Sequence, residues 1–79
     1  MLVVRAYVLI KIEAGRAEDV LTQLRALRSV RSVDAVTGPV DLIAQVEAED
    51  PLVLSDLIFR FMQTMPGVKE TDTRIVVSE

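Results

Sequence analysis

The 79-residue chain contains no cysteine, no histidine, no tryptophan and no asparagine. Without thiols it forms no disulfide, no thiolate nucleophile and no zinc site built on Cys and His. Without imidazole it lacks the commonest general base near neutral pH. Catalysis would fall to Asp, Glu, Lys, Arg, Ser, Thr or the single Tyr7. The lack of Cys fits a cytoplasmic location. No apolar run approaches the roughly 18 residues that mark a spanning helix, so no membrane partner is expected. No signal-peptide pattern is visible either, because Met1 leads into a strand-like run that holds Arg5, Lys11 and Glu13. Positive charge is scarce as well: 9 Lys and Arg stand against 12 Asp and Glu, a net charge of −3. Binding to the phosphate backbone needs clustered basic residues, so direct nucleic-acid binding is disfavoured.

Aliphatic surface, by contrast, is plentiful. The length allows one domain, residues 1–79, and a domain this small is marginal when alone. Yet 51% of its residues are hydrophobic, more than a two-layer monomer of this size hides easily. Association of copies is the expected outlet.

Hydrophobic periodicity sets out the elements. Residues 3–13 alternate as a strand, with Val4, Ala6, Val8, Ile10 and Ile12 on a pure core face. The opposite face carries Val3, Arg5, Tyr7, Leu9, Lys11 and Glu13, apolar in its middle and charged at its ends. Gly15 breaks the strand. Residues 16–28 read as a helix, with Ala17, Val20, Leu21, Leu24 and Leu27 at helical spacing. Glu18 and Asp19 lie in its first turn and Arg25 and Arg28 in its last, the sense the helix dipole favours. A second strand covers 31–37 and a third 41–48, where Leu42, Ala44, Val46 and Ala48 oppose Asp41, Ile43, Gln45 and Glu47. Asp50-Pro51 is an N-cap followed by proline at the first helical position. The second helix runs from there to about 64 on a stripe of Leu54, Leu57, Ile58, Phe61 and Met62, and Pro66-Gly67 ends it. Residues 68–78 form the last strand, with Thr71, Thr73, Ile75 and Val77 alternating against Glu70, Asp72, Arg74 and Val76.

The order is β-α-β-β-α-β, an α+β, ferredoxin-like sandwich. Right-handed crossovers put both helices on one face of a four-stranded antiparallel sheet. The other face is left bare, with Tyr7, Leu9 and Ile43 as a dimer surface. Two such sheets face to face make an α/β barrel of two chains.

Between the second and third strands the chain reads Val36-Thr37-Gly38-Pro39-Val40-Asp41-Leu42. A Gly-Pro turn is first of all backbone punctuation, and an aspartate beside it is commonly a turn-capping carboxylate. The same pairing of carboxylate and exposed backbone donors also suits a small zwitterion. Thr71 and Thr73, taken alone, are ordinary strand formers. Tyr7 reads as an interface residue rather than a catalytic phenol. The series Arg16, Arg25, Arg28 and Arg31 reads as a solvated face.

Three groups of segments carry a resemblance: Ala6-Tyr7-Val8-Leu9-Ile10; Gly38-Pro39-Val40-Asp41 with Val46-Glu47-Ala48-Glu49-Asp50; and Pro66-Gly67-Val68 with Thr71-Asp72-Thr73-Arg74-Ile75-Val76-Val77. In this order and spacing the chain resembles the effector-binding (RAM) domain of the Lrp/AsnC family, in the stand-alone form without a DNA-binding domain. The resemblance implies dimerisation through the sheets and further assembly into rings. It implies an amino acid or related metabolite as effector, bound in clefts between dimers, and no cofactor. It nominates Gly38, Pro39, Val40, Asp41, Thr71 and Thr73 as ligand-binding residues. A full-length Lrp/AsnC regulator is a further implied partner, through which the chain would modulate transcription or metabolism. Two departures stand out. No helix-turn-helix segment precedes the first strand, and Val40 occupies a position that is aromatic in many members.

Other functions compete. Dimeric ferredoxin-like barrels include cofactor-free enzymes whose sites draw on His, Tyr, Trp or Asn, and of these only one tyrosine is present here. A ligand-free interaction module would use the same bare sheet face. An ACT-type amino-acid domain shares the strand order but places its glycine loop after the first strand, where Gly15 stands. The Gly38 to Asp41 turn fits the Lrp/AsnC pattern better.

Overall fold

A computed structural model describes residues 3–77. Its elements follow the expected order: β1 (Val4–Ile12), α1 (Ala17–Arg25), β2 (Val30–Ala35), β3 (Leu42–Ala48), α2 (Pro51–Asp56), then a π-helical continuation over Leu57–Met62, and β4 (Val68–Ile75). The four strands form one sheet in the order β2-β3-β1-β4, with every neighbouring pair antiparallel. Central β1 and β3 pair from Val4 opposite Ala48 to Ile10 opposite Leu42.

The alternation of the two central strands decides where the core lies. Ala6, Val8 and Ile10 of β1 and Leu42, Ala44, Val46 and Ala48 of β3 are buried on one face. Val20 and Leu24 of α1 and Leu54, Leu57, Ile58 and Met62 of the second helical segment close over them. Val4, Ile12, Leu21 and Leu27 are partly buried at the margin of this cluster. No polar or charged residue is buried among the described residues, so apolar area and shape hold the core together.

The helix ends follow local chemistry. Asp50 accepts a hydrogen bond from the Val53 amide at 2.9 Å, and Pro51 starts α2. Gly67 ends the connection into β4 at φ +95°, and a Cβ there would stand 2.9 Å from Val20 Cγ2 and 3.1 Å from Arg16 Cβ. Its carbonyl accepts from the Glu13 amide at 2.8 Å. Glycine is therefore required twice over at this point, by backbone conformation and by the closeness of α1.

Several expected bounds shift. α1 starts after Arg16 and stops at Arg25, so Arg28 lies past its end and Ala17 is exposed rather than part of the buried stripe. β2 is set one residue earlier and ends at Ala35. β4 ends at Ile75; of the expected span 68–78, Ser78 lies outside the described residues. The second helix contains the largest correction. The Gln63 amide donates to the Ile58 carbonyl, five residues back, at 2.8 Å. A π turn holds more residues than an α turn, so a stripe spaced at three and four drifts off the core. Ile58 and Met62 stay buried, but Phe61 turns outward and is 50% exposed.

Candidate functional site

The turn between β2 and β3 is tied to β1 by its aspartate. The Asp41 amide donates to the Ile10 carbonyl at 2.9 Å, and the Val36 amide donates to the Asp41 carbonyl at 2.9 Å. The Asp41 Oδ2 accepts the Ile12 amide at 3.0 Å. One carboxylate oxygen thus caps a β1 donor that the ladder leaves over. Gly38 takes φ +125°, a conformation that side chains disfavour, with open space where a Cβ would be. Gly38, Pro39 and Asp41 are exposed and Val40 is half-buried. Among the described residues, the amides of Gly38 and Val40 and the Asp41 Oδ1 make no hydrogen bond within the chain. The turn therefore offers two backbone donors and one anionic acceptor to solvent. An anion can use the donors and an ammonium group the acceptor.

The two threonines lie elsewhere. Residues directly opposite in an antiparallel pair share a face. Thr71 is opposite Ile10 and Thr73 opposite Val8, so both side chains are on the helix side of β4. Thr71 Oγ1 is buried without a hydrogen-bond partner, beside a hollow of about 290 Å³ bounded by Gln63, Val68, Lys69 and Glu70. A buried hydroxyl left unpaired costs stability, which makes it an acceptor and donor in waiting. Thr73 lines a separate groove with Ile58, Phe59 and Ile75. In the row across the sheet, β1 separates Asp41 from β4, so the turn and Thr71 are two strand spacings apart, about 10 Å. A single chain does not bring them together.

The three nominated interface residues do form one patch. Leu9 is directly opposite Ile43, and Tyr7 is opposite Gln45, all on the helix-free face. The Gln45 side-chain amide donates to the Tyr7 hydroxyl at 3.5 Å, a long contact. Charges surround the patch: Arg5 opposite Glu47, Lys11 bridged to Glu70 at 3.4 Å, and Arg74 bonded to Asp72 through two contacts of 3.0 Å. The hydrogen bonds and charge of Arg74 hold the Asp72 carboxyl below its ordinary range, and Asp72 raises Arg74 in return. Both groups are solvent-exposed, so the pair matters for orientation more than for stability.

Gln63 and Lys69 escaped the sequence reading. Lys69 falls where the β1–β4 register shifts, between Lys11 and Ile12, and a bulge re-aims the residues around it. Gln63 follows the π turn. Neither irregularity leaves a mark in the hydrophobic pattern.

The family model for the Lrp/AsnC ligand binding domain matches residues 5–79. Among solved structures, a hypothetical protein from Pyrococcus horikoshii is 32% identical, with a TM-score of 0.89 over 96% of this chain and 92% of its own. A protein from Thermus thermophilus is 30% identical, with a TM-score of 0.91 over 96% of this chain and 95% of its own. At 23% identity, a transcriptional regulator from Neisseria meningitidis, solved as a complex with L-Met, shares the fold. Its TM-score is 0.91 over 96% of this chain and 51% of its own. No curated protein matches the chain.

Proposed function

The chain belongs to the Lrp/AsnC ligand binding domain family, and on that premise we propose that it is a sensor module for a free amino acid or a closely related zwitterion. In this proposal one domain, residues 1–79, dimerises through Tyr7, Leu9 and Ile43, and dimers assemble further. The effector sits between copies. The observation that carries the reading is the unspent hydrogen-bonding capacity of the Gly38 to Asp41 turn: a free carboxylate oxygen beside two free amides. That is the complement of an ammonium and a carboxylate on one carbon. The L-Met complex of the structurally similar Neisseria meningitidis regulator supports the choice of ligand class.

Each residue then has a physical role. Asp41 Oδ1 takes the ammonium while Oδ2 keeps its hold on the Ile12 amide. Gly38 and Val40 donate to the ligand carboxylate. Pro39 has no N–H and instead stiffens the turn, which lowers the entropy lost on ordering it. The Val40 side chain makes a small apolar wall. Thr71 and Thr73 are too far from the turn of their own chain, so any contact from them comes from a neighbouring copy. Ligand binding and assembly are thereby coupled, and the effect on transcription or metabolism runs through a partner regulator rather than through DNA contacts of the chain itself.

Titration calorimetry across the free amino acids tests the site. Asp41→Asn keeps an oxygen for the Ile12 amide but removes the charge. A charged hydrogen bond contributes roughly 1.5–3 kcal/mol, so Asp41→Asn should weaken binding about ten- to a hundredfold or slightly more. Equal affinity for wild type and Asp41→Asn would leave the turn with a structural role alone.

A further inference from the structure

The last residues of β1 hold two loops at once. On one side the Ile12 amide donates to Asp41 Oδ2 at 3.0 Å and so fixes the carboxylate of the Gly38 to Asp41 turn. The next amide, that of Glu13, donates at 2.8 Å to the carbonyl of Gly67, in the connection between the second helical segment and β4. Consecutive amides of an extended chain point to opposite sides, so the turn and this connection face each other across one peptide of β1.

The connection is itself tied to α1. Gln23 Nε2 donates to the Pro66 carbonyl at 3.1 Å, across 43 residues of sequence, and to the Asp19 carbonyl on its own helix at 3.3 Å. Both amide hydrogens of Gln23 are therefore used, one to anchor the side chain and one to hold the loop. Gly67, the next residue, is buried and stands so close to Arg16 and Val20 that a Cβ would not fit. The connection cannot move toward α1 and is held from moving away. A continuous path results: Gln23 to Pro66, Gly67 to Glu13, and Ile12 to Asp41, each step a hydrogen bond and each join a single peptide.

We propose that Gln23 is a positioning residue for the effector turn. Through Pro66-Gly67 and Glu13-Ile12 it keeps Asp41 Oδ2 on its amide, and that leaves Oδ1 aimed at solvent beside the Gly38 and Val40 donors. The effector role rests on the reading of that turn given above, whereas the coupling of Gln23 to Asp41 does not. Linkage makes the effect reciprocal. An amino acid that binds the held form of the turn steadies the Pro66-Gly67 connection, and a contact that displaces Gln23 weakens the amino acid.

Amide hydrogen exchange, followed by NMR on the full-length protein without ligand, tests the path. Gln23→Glu keeps the shape, removes the donor and sets an oxygen against the Pro66 carbonyl. The Glu13 and Ile12 amides should exchange about two- to tenfold faster, the equivalent of one net hydrogen bond. The ladder amides of Val8 and Ala44 should keep their rates. Gln23→Lys, which can donate to the same carbonyl, should restore both slow amides. In Asp41→Ala the Ile12 amide has already lost its acceptor, so adding Gln23→Glu should quicken it no further. An unchanged Ile12 rate in Gln23→Glu, an equal rise at Val8 and Ala44, or additive effects in the double variant would each overturn the proposal. Should Gln23→Glu not fold, Gln23→Met, of similar length and without a donor, is put to the same test. With L-methionine as the probe, Gln23→Glu should also weaken binding about two- to tenfold. Failure of L-methionine to bind would count against the effector reading alone, because the exchange rates are measured without it.

Discussion

The two faces of the sheet are built from the same four strands and obey different rules. On the covered face, Ala6, Val8, Ile10, Leu42, Ala44 and Val46 are all but fully buried, and the helices supply Val20, Leu24, Leu54 and Met62 over them. On the open face, Tyr7, Leu9 and Ile43 sit within a frame of Arg5, Glu47, Lys11, Glu70, Asp72 and Arg74. Tyr7 is 42% exposed. The covered face is apolar at its centre, with the unpartnered Thr71 Oγ1 at its β4 side, and the open face mixes apolar and charged side chains. If association uses the open face, as proposed, folding and association fall on opposite sides of one layer, and substitutions on the two sides should fail in different ways.

The covered face should give the largest effect. Leu24→Ala removes a fully buried side chain and should cost about 2–5 kcal/mol of unfolding free energy, measured by urea denaturation. If the cost were close to zero, the helix would not be packed on the sheet as described. Gly67→Ala comes next, because it combines a φ of +95° with a 2.9 Å approach to Val20 Cγ2. Backbone strain of this kind costs about 1–3 kcal/mol, and thermal melting should show it.

The open face should behave in the opposite sense. Leu9→Asp should change the stability of the folded chain by about 0.5 kcal/mol or less when that chain is diluted below its association range. In the associating range it should shift sedimentation strongly toward monomer, because association would bury an unpaired charge. A Leu9→Asp protein that kept its assembled mass would remove Leu9 from the interface. A fall in monomer stability as large as that of Leu24→Ala would erase the contrast between the faces.

The smallest effect concerns the fringe of the open face. In Arg74→Gln the Asp72 carboxyl loses its main hydrogen-bond donor and should titrate closer to 3.8. The sign follows from linkage. The folded-state value of Asp72 is depressed, so its contribution is present above the ordinary carboxyl value and is lost as pH falls through the lowered one. Arg74→Gln should remove that acid-side dependence, and carboxyl NMR titration reads it directly.

Local rules made most elements legible before any coordinates. The alternation of β1 and β3 survives intact because both strands are central and each has one face against the helices. Asp50-Pro51 and Pro66-Gly67 mark their boundaries because caps and breakers act within a turn of chain. Phe61 went astray because a π turn changes the helical period without changing the composition that announces a helix. The candidate site divides in the same way. Asp41 reads as a capping carboxylate from its neighbours in sequence, and it does cap, but its partner is the Ile12 amide, 29 residues away. Thr71 and Thr73 can be set on one face from alternation. Their separation from Asp41 by a full strand cannot, because strand order is not written in any local pattern.

By itself, then, the amino-acid order determined what short-range physics can: where strands and helices lie and which side of each is apolar. Tertiary structure decided the rest. It set β1 between β3 and β4, gave Asp41 its distant amide, left Thr71 Oγ1 without a hydrogen-bond partner among the described residues, and turned Phe61 outward. Each of these depends on contacts between segments remote in sequence, and such contacts are chosen by the packing of the whole chain rather than by any stretch of it.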